Sequence, residues 1–80
     1  MSEIEHIVNY LKPNFTIIAT GTTIKGLVLV KCVVTEYQCA DGTWLYEKWI
    51  TEQKRIVRVM EFSSQNQLPK EEVVKRMRVT

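Results

Sequence analysis

The chain has 80 residues, 45 % hydrophobic and 25 % charged, with a net charge of +2. That is one small domain of ordinary globular composition, and it excludes a low-complexity, solenoid-repeat or highly charged disordered chain. A domain this short buries only about 60–65 % of the surface its unfolded form exposes, so its core is thin and association with a partner would help it.

Ser2 with Glu5 three residues later makes a capping-box pattern, and Ile4, Ile7, Val8 and Leu11 recur at helical spacing. Residues 3–11 therefore read as an N-terminal amphipathic helix ended by Pro13. His6, the single histidine, lies between the acids and the apolar stripe, where a surface role is the ordinary one.

Phe15 to Thr20 reads as a first strand on its β-branched content, with a turn over Gly21 to Thr23. Ile24 to Cys39 then forms an extended run longer than the usual five or six residues, which predicts a bend or bulge near Gly26 or Lys31. Asp41-Gly42 folds the chain into a third strand over Thr43 to Thr51, and a tight turn at Glu52-Gln53 leads to a fourth over Lys54 to Phe62. Ser63 to Gln67 is a polar linker. Pro69 opens a C-terminal helix with Glu71 and Glu72 in its first turn, Lys75, Arg76 and Arg78 late, and Val73, Val74 and Met77 on one face.

The fold class is therefore α+β, a four-stranded antiparallel meander with an N-terminal and a C-terminal amphipathic helix, in one domain spanning residues 1–80. The competing architecture is a small SH3-like or Sm-like β-barrel with terminal helices.

Two registers fit the Asp41-Gly42 hairpin. A two-residue turn places Lys31, Thr35, Tyr37, Trp44, Tyr46, Lys48 and Arg55 on one face, and puts Glu36 opposite Glu47 in a row with Arg58. A three-residue turn with a bulge at Gly42 pairs Thr35 with Glu47 and Val33 with Trp49, and moves Tyr37 and Lys31 to the other face. Trp44, Tyr46, Lys48 and Arg55 stay together in both. Rings flanked by bases on a sheet surface suit single-stranded nucleic acid, which stacks its bases and presents its phosphates to Lys or Arg.

Leu27, Leu29 and Val33 oppose Val28, Val30 and Val34, so apolar side chains occur on both faces of the sheet. That is more hydrophobic surface than two short helices cover, and it points to self-association or a partner protein. The candidate binding residues are accordingly Trp44, Tyr46, Lys48, Arg55, Tyr37, Lys31, Leu27 and Leu29.

One histidine, no glycine-rich phosphate loop and no metal-ligand spacing argue against an enzyme, and no cofactor or metal is implied. Residues 54–80 carry seven bases against three acids, a local excess that would favour an anionic partner. The longest aliphatic run is four residues, Leu27 to Val30, far short of a membrane span, and acids stand where a signal peptide is basic. Cys32 and Cys39, about 23 Å apart along one strand, cannot bridge. Two free thiols suit a cytoplasmic setting. The leading expectation is a small non-catalytic binding or regulatory protein, engaging another protein or a second copy of itself through the sheet face of the second to fourth strands. A nucleic-acid-binding module is the runner-up.

Overall fold

The computed structural model describes residues 15–79. Their order is β1 (Thr16–Lys25), β2 (Val28–Gln38), β3 (Trp44–Glu52), β4 (Arg55–Ser64) and a helix, α1 (Lys70–Arg76). The strands form one antiparallel sheet in the order β1-β2-β3-β4. Among the described residues β1 and β4 do not pair, so the meander is an open sheet and not the closed barrel that stood as its competitor. The N-terminal helix expected over residues 3–11 lies outside the described residues.

The three hairpins solve the same problem in three ways. Gly26, at φ +63°, starts a two-residue turn with Leu27 between the paired Lys25 and Val28. Positive φ at the first central position is the type II′ geometry that only glycine adopts without strain. The reversal expected at Gly21 to Thr23 is therefore displaced to Gly26, and the long second strand divides there. Gly21 sits inside β1 opposite Cys32, because its threonine and isoleucine neighbours favour extended backbone.

The second hairpin closes over Ala40, Asp41 and Gly42. Cys39 N–H donates to the Thr43 carbonyl at 2.8 Å, and Gly42, at φ +92°, takes the left-handed position. Asp41 Oδ1 accepts from Thr43 N–H at 2.9 Å and from its hydroxyl at 2.6 Å, which stiffens the loop. The third hairpin turns over Gln53 and Lys54, both at positive φ, between Glu52 and Arg55. The turn thus lies one residue beyond the expected Glu52-Gln53.

The register across the second hairpin is the bulged one, with Thr35 opposite Glu47 and Val33 opposite Trp49. It separates the two carboxylates that the two-residue turn would have set against each other: Glu36 faces Tyr46 instead. Further register shifts occur between Ile17 and Ala19 and between Lys48 and Trp49, and such bulges bend a sheet and raise its local twist.

α1 begins at Pro69, whose fixed φ suits the entry to a helix. Its acids, Glu71 and Glu72, fall in the first turn and its bases, Lys75 and Arg76, in the last, as the helix dipole favours. Val73 and Met77 point into the sheet and are fully buried with Val34 and Tyr46, with Ala19, Trp44, Met60, Phe62 and Leu68 packed around them. The opposite face holds a smaller cluster of Val33 with Phe15, Trp49 and Ile56.

Candidate functional site

Strand alternation puts Trp44, Tyr46 and Lys48 on the face that α1 covers. Tyr46 is fully buried, its ring stacked on Phe62 at 5.2 Å. Its hydroxyl donates to Glu36 Oε2 at 3.0 Å and accepts from the Leu68 N–H at 2.8 Å, while Gln67 Nε2 donates to Glu36 Oε1 at 3.0 Å. These bonds pin the polar linker onto the sheet just before the helix starts. Burial pushes the Tyr46 phenol above its ordinary range, opposed by the Leu68 N–H and reinforced by the Glu36 carboxylate.

Lys48 is only 3 % exposed. Its ammonium donates to the Thr23 hydroxyl at 3.0 Å and to the Met77 carbonyl at 2.5 Å, so it ties β3 both to β1 and to the C-terminal end of α1. Burial lowers its pKa. Trp44 is half-buried in the same core. Three of the four side chains that both registers keep together are thus packed under the helix, and no base could stack on Tyr46 without lifting the helix away.

The remaining candidates are separated from them. Arg55 is exposed at the end of the third hairpin, opposite Glu52. Tyr37 and Lys31 lie on the other face, with Tyr37 37 % exposed and its ring 5.3 Å from that of Phe15. On that face Glu47, 3 % exposed, accepts from Arg58 at 2.9 Å, and Arg58 also pairs with Glu61 at 3.2 Å. The row of Glu36, Glu47 and Arg58 is therefore split between the two faces, as the bulged register requires.

Leu27 and Leu29 stand at the tip of the first hairpin. Leu27 is fully exposed and Leu29 is 62 % exposed, and they are joined there by Ile24 at 72 % and Val28 at 61 %. Four large aliphatic side chains thus sit in water within six consecutive residues, bent into one knuckle by the Gly26 turn. Ile24 and Val28 belong with Leu27 and Leu29, but a turn at Gly21 to Thr23 makes Ile24 the start of one long strand, in which Gly26 marks only a bend. The signal available in the sequence was Gly26 itself, an isolated glycine in a strand pattern.

Among the described residues no group of three or more His, Cys, Asp or Glu side chains is placed to hold a metal ion. Cys32, buried, and Cys39, half-buried, are both free thiols. Burial raises the Cys32 pKa, against the nearby Lys48 charge and a Gly21 backbone hydrogen bond that lower it, which makes it a poor nucleophile. No described helix is long and apolar enough to cross a membrane. Comparison with protein-family models, with curated proteins and with solved structures finds no match.

Proposed function

We propose that this chain is a small non-catalytic binding protein that acts through protein–protein contacts, with a second copy of itself as the partner and the tip of the β1–β2 hairpin as the contact. The observation that carries this reading is the exposure of Ile24, Leu27, Val28 and Leu29 together. Each would contribute roughly 1.5–3 kcal/mol if taken fully out of water, and contiguous apolar surface of this kind on a small domain usually marks an interface. The one charge within the knuckle, Lys25, pairs with Glu52 at 3.3 Å, so a copy docking there meets little uncompensated charge. Two free thiols fit a cytoplasmic protein.

Light scattering coupled to size-exclusion chromatography, at two salt concentrations and with or without a mixed single-stranded oligonucleotide, tests the proposal. The expected result is a salt-insensitive dimer or higher oligomer that the oligonucleotide does not shift. Leu27→Asp and Leu29→Glu should each turn it into a folded monomer. A wild-type monomer at about 100 µM overturns the reading. If that monomer moves with oligonucleotide only at low salt, the basic surface takes its place as the functional one.

A further inference from the structure

At the root of the same hairpin, on the face covered by α1, the chain encloses a half-open cavity of about 220 Å³. Thr23 and Lys25 of β1, Lys48 of β3, Val59 and Met60 at the β4 bulge, and Arg78 just past the helix line it. Among the described residues no carboxylate lines it, and Lys25 at its rim pairs with Glu52.

Two features of this cavity are costly to the fold. A nearly buried ammonium is tolerated when it is paired, yet among the described residues Lys48 has no acidic partner. Its two acceptors, the Thr23 hydroxyl and the Met77 carbonyl, are neutral and leave one of its three N–H groups for another acceptor. Arg78, close enough to lower the Lys48 pKa further, sits at φ +55°. That is the left-handed position after a helix which glycine normally fills, and a side chain there carries strain. A glycine would close the helix without strain but would bring no cation to the cavity.

We propose that this cavity is a binding site for a small phosphate-bearing ligand, held by the Lys48 ammonium and the Arg78 guanidinium. Among the described residues neither cation has an acidic partner, and such a pair matches a dianion better than a singly charged carboxylate, since both groups form charge-assisted bonds to phosphate oxygens. The apolar wall of Val59 and Met60 suits the organic part of a monoester. The volume is below the ~300–1,000 Å³ of pockets for drug-sized molecules, so the occupant is a headgroup and not a nucleotide.

The test titrates inorganic phosphate, glycerol phosphate and acetate into the wild-type protein at constant ionic strength, following amide NMR shifts and melting temperature. Phosphate and glycerol phosphate should bind saturably, and acetate should not. Arg78→Gly is the decisive variant, because relief of the positive φ keeps it folded while the cation is lost. It should weaken phosphate binding by ~10-fold or more, as the loss of a charge-assisted bond would. Lys48→Met should do the same, and Lys31→Ala, exposed on the other face, should change nothing. No saturation below about 10 mM phosphate overturns the proposal, as does undiminished binding in folded Arg78→Gly or equal binding of acetate. Compared at one fixed protein concentration, phosphate-induced changes report the cavity whether or not the hairpin tip self-associates, so the proposal stands or falls separately from the hairpin interface.

Discussion

The first and third hairpins end side by side, joined by the Lys25–Glu52 ion pair, yet they are built on opposite principles. The β1–β2 tip has a relaxed backbone and an apolar surface: Gly26 supplies the positive φ, and Ile24, Leu27, Val28 and Leu29 stand in water. The β3–β4 tip has a polar surface and a strained backbone: Gln53 and Lys54 both take positive φ, where Asn-Gly would be at ease, and Glu52 and Arg55 flank them. A tip that needs only to turn the chain can be polar throughout, as the third hairpin is. The apolar residues of the first tip are therefore not a demand of hairpin geometry, which is why an interface is proposed for them.

The largest effect should come from removing what both tips rest on. Met77 is fully buried in the core that holds α1 to the sheet, and Met77→Ala should destabilise the domain by roughly 2–5 kcal/mol in chemical denaturation. A change of under 1 kcal/mol would mean that the helix is dispensable and that both hairpins stand on the sheet alone.

Tyr46→Phe should cost about 1–3 kcal/mol, because it leaves Glu36 and the Leu68 N–H without their shared hydroxyl. Its pH dependence has a definite sign. The folded state holds the Tyr46 proton above its ordinary pKa of 10.0, so the native form binds more protons there and stability falls as pH rises past that point. Cys32 acts in the same direction from its ordinary 9.0, and Lys48, lowered from 10.5, acts in the opposite one. Stability measured from pH 8 to 11 should therefore decline less steeply above pH 10 in Tyr46→Phe than in the wild type, with the earlier Cys32 contribution retained.

Exchanging the backbone solutions should sharpen the contrast between the tips. At Gly26 an added Cβ would meet nothing within 4 Å, so Gly26→Ala isolates the backbone cost and should destabilise by about 1–2 kcal/mol. Lys54→Gly should stabilise by about 1 kcal/mol for the converse reason. Thermal melts that move both variants in the same direction would refute the assignment of strain to the third hairpin.

The smallest effect belongs to the link itself. Both partners of the Lys25–Glu52 pair are about two-fifths exposed, at 42 % and 44 %, so Lys25→Ala should cost no more than about 1 kcal/mol and less at high salt. A larger, salt-insensitive loss would show that the two tips are mechanically coupled.

Much of the architecture was legible along the chain. The four β-forming runs, the Asp41-Gly42 reversal, the polarised charges of α1 and its Val73 and Met77 stripe all follow from local propensity, turn chemistry and periodicity. Leu27 and Leu29 were legible as surplus apolar surface. The position of the first turn was not, because Gly21 and Gly26 offer equal freedom, and only pairing against β2 decides which of them bends the chain.

The faces of the sheet were the tertiary structure's to decide. With apolar residues on both sides of β2, a period-two pattern fits either register, and a one-residue slip exchanges every side chain between core and surface. The bulged turn at Gly42 and the docking of α1 made Tyr46 and Lys48 interior, through partners 22 and 29 residues away in sequence that no local pattern announces. Local sequence settled most of the extended and helical segments and the Asp41-Gly42 reversal, since those choices are made within a few bonds. Which of their side chains became core, cavity or surface was left to long-range contacts, because burial is a property of what packs against a residue and not of the residue alone.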